Sequence, residues 1–217
     1  RGQGGLLDVV LHPDFAENRL VYLSYAYLAE SGGAATAVAR GRLGEAGLEG
    51  TEVIFRSNAL TSRGQHYGSR LVFDRDGYLY VTHGDRGERE LAQDLANHAG
   101  TVLRLHDDGR VPEDNPFVDR AGAMPEIWSY GHRNPQGMAL HPETGAVWLH
   151  EHGPRGGDEL NIVQPGLNYG WPIVSQGAEY GSGFAVGVRE AEGVEPAIYV
   201  WDPSIAPSGM AFYRGDA

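Results

Sequence analysis

Residues 63–85 read RGQHYGSRLVFDRDGYLYVTHGD, and this stretch predicts a β-hairpin. The runs RLVF and YLYVTH are rich in β-branched and aromatic residues, which favour strands. Between them, DRDG has the aspartates and glycine of a tight turn. Because a hairpin returns to the end at which it starts, His66 before the first strand and Asp85 after the second are predicted to lie close together.

The same signature occurs at steady intervals along the chain. Similar segments begin at Gly4 (GGLLDVVLHPDFAENRLVYLSYAY), Gly137 (GMALHPETGAVWLHEHG) and Gly209 (GMAFYRGDA). Counted from Gly5 in the first segment, the glycines that open the segments are residues 5, 68, 137 and 209, which lie 63, 69 and 72 residues apart. A four-stranded sheet with its loops needs about that much chain, and a β-propeller repeats such sheets around an axis. A β-sandwich is the rival all-β fold, but sandwiches do not usually repeat one hairpin so regularly.

The predicted fold is therefore an all-β β-propeller, and in a six-bladed ring this chain would be a fragment of roughly three to four blades. Three repeat intervals and a stub make about half of such a ring, and half a ring would leave edge strands unpaired. The chain begins at Arg1 without a methionine and ends within AFYRGDA. Residues 1–217 are thus predicted to be a single domain truncated at both ends. One short helix or helical turn is expected within residues 88–100.

Composition and charge narrow the partners and the chemistry. The 217 residues, 41% of them hydrophobic, are enough to bury a core. The net charge of -12 argues against nucleic acid and anionic membrane surfaces as partners. The absence of Cys excludes disulfides, thiolate metal sites and Cys nucleophiles. No apolar run approaches the ~20 residues that span a bilayer.

Polar residues flank the strands at one end of successive hairpins. Function on a rigid scaffold commonly lies on such loops, so we expect these side chains to converge on one site. The residues concerned are Gln3, His66, Asp85, Arg133, Asn134, His152, Gly153 and Pro154.

A histidine beside a carboxylate indicates proton transfer. The His66 imidazole can take a proton from a hydroxyl near neutral pH, and Asp85 on its other nitrogen would fix the tautomer. Arg133 and Asn134 could clamp an anion. Since the sequence has neither Cys nor a Ser in a G-x-S-x-G turn, proton abstraction coupled to an electron sink fits better than acyl transfer.

The loop after the third hairpin suggests an oxygen-liganded cation. The carbonyls of Gly153 and Pro154, followed by Asp158, Glu159 and the Tyr169 carbonyl, are the ligand types that calcium prefers. A zinc site is not convincing there. Two histidines, 150 and 152, share one strand face, but no third ligand is evident nearby.

Long motifs through nearly the whole chain resemble the soluble quinoprotein aldose sugar dehydrogenases, also called soluble glucose dehydrogenase-like proteins. These are six-bladed propellers that use pyrroloquinoline quinone (PQQ) and calcium. The matching motifs are GQGGLLDVVLHPDF, QHYGSRLVFDRDGYLYVTHGDRG, GTVLRLHDDGRVPEDNPF, EIWSYGHRNPQGMALHP, EHGPRGGDELNIVQPGLNYGWP and SGMAFY.

The resemblance implies a role for each matching residue. His66 would be the general base that removes the C1 hydroxyl proton of an aldose as hydride passes to the quinone, and Asp85 would orient it. PQQ would contact Gln3, His66, Arg133, Asn134, His152 and Tyr180. Gly153 and Pro154 would give carbonyl oxygens to the calcium on the cofactor. Glu159 and Tyr169 would be ligands of a second, structural calcium.

The resemblance also sets limits on specificity and completeness. Gln65, Glu90 and His152 differ from the glucose dehydrogenase branch and fit the broader aldose dehydrogenase branch. Further basic cofactor ligands of the family lie in blades that this chain lacks. The implied partners are an aldose and an unidentified electron acceptor, a cytochrome or a soluble quinone. The implied location is periplasmic or secreted. A calcium-dependent propeller lactonase and a non-catalytic binding propeller are the alternatives.

Overall fold

A computed structural model describes residues 2–215, in which twelve β-strands form three four-stranded antiparallel sheets. The first sheet contains β1 (Leu6–Leu11), β2 (Leu20–Leu28), β3 (Ala34–Leu43) and β4 (Leu48–Arg56). The second sheet contains β5 (Leu71–Phe73), β6 (Leu79–Thr82), β7 (Thr101–Leu105) and β8 (Ile127–Tyr130). The third sheet contains β9 (Pro135–Leu140), β10 (Val147–Glu151), β11 (Asp158–Val163) and β12 (Tyr199–Trp201).

Each sheet is a meander in which the strands follow one another in chain order. The repeat seen in the sequence therefore corresponds to one sheet per interval. The helices in the described residues are short: α1 (Phe15–Asn18) and a 3₁₀ helix (Arg89–Gln93). The second lies within the 88–100 segment where the sequence predicts a helical turn. Neither is long and apolar enough to cross a membrane.

The turn between β5 and β6 has the chemistry that its sequence predicts. The Asp74 carboxylate accepts hydrogen bonds from the backbone N–H groups of Asp76 at 3.0 Å and Tyr78 at 2.9 Å. Gly77 has a φ of +83°, the left-handed conformation that favours glycine. The turn therefore returns β6 to the end of the sheet at which β5 begins.

The core lies between the sheets. Strand β6 packs on both faces, because its successive side chains point to opposite sides. Leu79 and Val81 join a cluster with Tyr22 and Val38 of the first sheet, whereas Tyr80 joins a cluster with the third sheet. The first strands of the three sheets are neighbours, since β5 contacts both β1 and β9. The loops that flank these strands are thereby brought together.

The all-β prediction is confirmed. The closed ring, the number of blades and the single-domain limits 1–217 stay predictions. One expected strand is wrong: no strand follows Gly209 within the described residues. Backbone pairing is lacking there, and Phe212 instead packs by its ring against His141 at 4.8 Å and Trp148 at 5.6 Å. Arg1, Asp216 and Ala217, which the truncation predictions involve, lie outside the described residues.

Candidate active site

A polar pocket of about 480 Å³ lies at the end of the sheets where the flanking loops meet. This volume is in the range of small-molecule sites. The predicted convergence of the hairpin-flanking residues is therefore found in the structure. The predicted residues that line the pocket are Gln3, His66, Asp85, Arg133, Asn134, His152, Gly153, Pro154 and Tyr180.

His66 and Asp85 form a hydrogen-bonded pair in this pocket, with 2.6 Å between Nδ1 and Oδ1. Asp85 is buried, at 1% exposed. With the carboxylate as acceptor, Nδ1 carries the imidazole proton and Nε2 is left as a proton acceptor. The pair exists because the hairpin turns back on itself, as its sequence predicts.

The backbone around this pair is tightly packed. His66 has a φ of +54°, a left-handed conformation that is uncommon for a residue with a side chain. A Cβ atom on Gly84 would lie only 2.2 Å from the His66 carbonyl oxygen, so only glycine allows the two backbones to approach in this way. Sequence analysis gave Gly84 no role of its own, although its place beside Asp85 was a signal.

Gln3 and Asn134 hold the backbone on either side of the His66 side chain. Gln3 Oε1 accepts a hydrogen bond from the His66 N–H at 2.8 Å. Asn134 Oδ1 accepts one from the Gly68 N–H at 3.3 Å and one from Gln136 Nε2 at 3.1 Å. No described residue accepts a hydrogen bond from Asn134 Nδ2, which leaves this donor for a ligand.

Arg133 is the pocket arginine without a carboxylate partner among the described residues. Two other arginines that line the pocket are paired, Arg63 with Glu88 and Arg89 with Glu179. Arg133 Nη1 donates to the Gly153 carbonyl at 2.7 Å, and burial lowers the pKa of the guanidinium despite the nearby Asp85 charge. An anion in the pocket would therefore meet a positive charge that forms no ion pair with a carboxylate of the described residues.

The Gly153–Pro154 loop is fixed by a buried carboxylate. Asp158, which is 0% exposed, accepts a hydrogen bond from the Gly153 N–H at 3.0 Å. Its other oxygen accepts bonds from Ser204 Oγ at 2.6 Å and from the N–H groups of residues 205 and 206. No described residue donates a hydrogen bond to the Pro154 carbonyl. Sequence analysis named Asp158 only as a possible cation ligand, whereas its oxygens are occupied by these donors.

His152 lies beside the same loop, with its Nε2 2.7 Å from the Pro207 carbonyl. Its ring is therefore held by backbone from the chain after β12. Tyr180 is 69% exposed at the pocket and lies one residue after Glu179. The Arg89–Glu179 ion pair, with 2.5 Å between Nη1 and Oε1, ties this loop to the 3₁₀ helix.

Glu159 and Tyr169 lie together outside the pocket lining, and both line a small cavity with Arg133, His152 and Gly153 of the pocket. They line a second cavity of about 450 Å³. Burial, reinforced by the neighbouring Glu151 carboxylate, raises the pKa of Glu159 to about 8. No described residue donates to the Tyr169 carbonyl. Within residues 2–215, no group of three or more His, Asp or Glu side chains has the arrangement of a metal site.

A second His–carboxylate pair was missed by the sequence analysis. His132 Nδ1 lies 2.7 Å from Glu151 Oε1, and His132 Nε2 lies 2.9 Å from Ser129 Oγ. All three residues are buried. Glu151 Oε2 also accepts a hydrogen bond from the Arg133 N–H at 2.6 Å, so this pair positions the backbone of the pocket arginine.

Trp171 was also missed. Its indole Nε1 donates a hydrogen bond to Asp85 Oδ2 at 2.8 Å from a position 86 residues further along the chain. Hairpin geometry relates only the two ends of one hairpin, so it could not bring a loop of the third sheet to this carboxylate. The aromatic residue in NYGWP was a signal only through the family resemblance.

Sequence comparison identifies the relatives of this chain. The profile of the Glucose / Sorbosone dehydrogenase family matches residues 1–217. The chain belongs to this family. Aldose sugar dehydrogenase YliI from Escherichia coli (strain K12) is 51% identical over 220 residues, which are 99% of this chain and 59% of that protein.

Solved structures support the same family. The soluble aldose sugar dehydrogenase (Asd) from Escherichia coli in the apo-form matches with a TM-score of 0.96 at 49% identity. The match covers 100% of this chain and 63% of the Asd chain. The PQQ-bound form of aldose sugar dehydrogenase (Adh) from Streptomyces coelicolor has a TM-score of 0.77 at 32% identity, covering 97% of this chain and 58% of its own. The resemblance inferred from the motifs is confirmed, and the chain spans less than two thirds of each of these proteins.

Proposed function

We propose that the full-length protein containing this chain oxidises the C1 hydroxyl of aldose sugars to the lactone, with PQQ as the hydride acceptor. The observation that carries the proposal is the His66–Asp85 pair, 2.6 Å apart, in a pocket whose Arg133 forms no ion pair within the described residues. The similarity to a PQQ-bound aldose sugar dehydrogenase supports it.

The pocket residues fit an anionic, planar quinone. PQQ carries carboxylates, and the Arg133 guanidinium and the free Nδ2 of Asn134 are donors that suit them. Gln3, His152 and Tyr180 line the same cavity and would form walls of the cofactor site. When bound, PQQ supplies the acceptor for the two electrons that leave the sugar as hydride. The chain itself supplies binding, orientation and the base.

His66 would be the general base. Its Nε2 takes the proton of the C1 hydroxyl as the C1–H bond breaks and the carbonyl of the lactone forms, so one proton and one hydride leave the sugar. Asp85 holds Nδ1 protonated and stabilises the imidazolium that results. Burial of Asp85 excludes water from this contact and keeps the ring in one orientation.

Calcium fits two sets of oxygen donors. The Pro154 carbonyl is free to bind a cation at the pocket, and the Gly153 carbonyl would share its second lone pair with Arg133. Glu159 and the Tyr169 carbonyl would hold a second ion, because a buried carboxylate with a raised pKa and an unused carbonyl suit a cation. Bound calcium supplies Lewis-acid polarisation of the cofactor.

The rest of the full-length protein would complete the site. We take the three sheets as blades of a six-bladed propeller, because their first strands are neighbours and each sheet is a four-stranded meander. The remaining blades would close the ring and add further basic cofactor ligands. A cytochrome or soluble quinone as electron acceptor, and a periplasmic or secreted location, rest on the family resemblance alone.

The test is a titration of PQQ into the full-length protein with calcium, followed by absorbance on adding an aldose. Binding followed by bleaching of the oxidised quinone is the expected result. His66→Ala should lower kcat by about 10²-fold or more. His141→Ala is the matched control, because His141 lies in the β9–β10 turn outside the pocket lining, where its Nδ1 accepts hydrogen bonds from backbone N–H groups.

Three results would contradict the proposal. Full aldose oxidation by His66→Ala would remove the general-base role. Failure to bind PQQ in the presence of calcium would favour a non-catalytic binding propeller. Hydrolysis of lactones without added quinone would favour a calcium-dependent lactonase.

A further inference from the structure

Trp171 is a side-chain contact from the loops of the third sheet to the His66–Asp85 pair. It follows β11 and is buried, and its indole N–H points at Asp85 Oδ2 with 2.8 Å between the heavy atoms. Its own backbone is held at both polar groups: the N–H donates to the Gly131 carbonyl at 2.8 Å, and the carbonyl accepts from Gln93 Nε2 at 2.7 Å. The indole is thus a fixed donor.

The Asp85 carboxylate is held from both sides. Oδ1 accepts bonds from His66 Nδ1 at 2.6 Å and from the Gly87 N–H at 2.7 Å, whereas Oδ2 accepts from Trp171 alone among the described residues. Without the indole N–H, Oδ2 would be a buried acceptor with no donor, and the carboxylate could rotate to seek one. Rotation would move Oδ1 away from His66.

The same indole also lies beside the pocket's cations. The Arg133 guanidinium carbon is 5.3 Å from the centre of the Trp171 ring, and that of Arg89 is 5.6 Å away. Both distances lie within the range of cation–π attraction. A change that keeps the aromatic ring but removes the N–H therefore separates the contact with Asp85 from the contacts with the arginines.

We infer that Trp171 is a positioning residue of the proposed reaction, which acts on His66 through Asp85. The inference rests on the proposed function for its catalytic meaning, whereas the contact itself is independent of the reaction. Trp171 is 6% exposed and does not need to touch the substrate for this role.

A double-mutant cycle in the full-length, PQQ-loaded protein tests the inference. Trp171→Phe keeps a ring and removes the N–H. Because the lost hydrogen bond is one to a charged group, we expect kcat with aldose to fall about 10-fold or more. KM should change less than kcat. In an Asp85→Ala background the same substitution should cost nothing further, because the group through which Trp171 acts has gone.

The matched control is Trp128→Phe. Trp128 is an indole in β8 that packs edge-on against Tyr80, with ring centres 5.7 Å apart, and lies outside the pocket lining. Trp128→Phe removes the same part of an indole ring as Trp171→Phe, with a comparable loss of packing, and it should leave kcat unchanged. Equal kcat for Trp171→Phe and wild type, or equal losses in the presence and absence of Asp85, would overturn the inference.

A readout independent of turnover separates this inference from the proposed function. In the cofactor-free, ¹⁵N-labelled full-length protein, the Trp171 indole N–H resonance is the one that Trp171→Phe removes. It should move upfield in Asp85→Ala, because its charged acceptor is lost. If the wild type binds PQQ but oxidises no aldose, the proposed function fails, and the indole resonance then tests the role of Trp171 on its own. A shift of the resonance in Asp85→Ala would support Trp171 as the residue that positions Asp85. An unchanged resonance would overturn that inference.

Discussion

Gly84 offers the sharpest test of how packing holds the candidate base. A Cβ atom at this position would lie 2.2 Å from the His66 carbonyl oxygen and 2.6 Å from the carbonyl carbon. Both are backbone atoms, so no side-chain rotation can relieve the contact. Gly84→Ala must therefore push the backbone of His66 away from the residue that precedes Asp85.

The size of the displacement follows from these distances. Real Cβ atoms essentially never approach a heavy atom closer than 3.0 Å, so the two segments must separate by about 0.8 Å or more. A shift of that size along the His66–Asp85 contact would lengthen it from 2.6 Å beyond the usual hydrogen-bond limit of about 3.2 Å. Misplacement of about 1 Å can cost about 10²-fold in rate, and overpacking costs about 1–3 kcal/mol of stability.

The assay is kcat/KM for aldose oxidation by the full-length, PQQ-loaded protein, together with urea unfolding. Gly84→Ala should lose about 10²-fold in kcat/KM while remaining folded. Gly5→Ala is the control, because a Cβ atom there meets nothing within 4 Å and its φ is not left-handed. If Gly84→Ala kept kcat/KM within about twofold of wild type, the claim that His66 must be held to better than about 1 Å would be refuted.

Two further predictions concern the oxygen-rich loops. Because the pKa of Glu159 in the folded protein is about 8 against an ordinary value of 4.5, the folded state binds this proton more tightly, so the calcium-free protein should lose stability between pH 4.5 and 8. Saturating calcium and Glu159→Gln should each flatten that slope in urea unfolding measured across pH, and an unchanged slope in Glu159→Gln would contradict the assignment. Asp158→Ala should cost about 3 kcal/mol or more, because the hydrogen bonds from Gly153 and Ser204 to a charged, buried carboxylate are lost, and Asp158→Asn should cost less; equal unfolding free energies for Asp158→Ala and wild type would disprove this.

Hairpin geometry explains which parts of the site could be predicted from sequence. The alternation of apolar residues and the DRDG turn place β5 against β6, and the pairing of His66 with Asp85 follows directly. The same argument brings Arg133 and His152 to one end. Trp171 lies in a long loop without periodicity, and nothing in its local sequence shows which hairpin it meets.

The limits of the fold prediction have a similar cause. Gly209 and the apolar residues after it match the repeat, but a strand forms only where a neighbouring strand offers backbone partners. Within the described residues that segment has side-chain contacts instead. A sequence repeat predicts which residues can form a strand, whereas the partner determines whether they do.

The two His–carboxylate pairs show why exposure, rather than spacing, marks the chemical site. His66 precedes Asp85 by nineteen residues, and His132 precedes Glu151 by nineteen residues, each pair spanning one hairpin. His132 is 0% exposed and its second ring nitrogen is occupied by Ser129, so this pair has no ring nitrogen left for a substrate proton. The Nε2 atom of His66 has no hydrogen-bond partner among the described residues, and the ring lines the pocket. The same hairpin arrangement therefore builds one pair that can accept a substrate proton and one that fixes the neighbouring arginine.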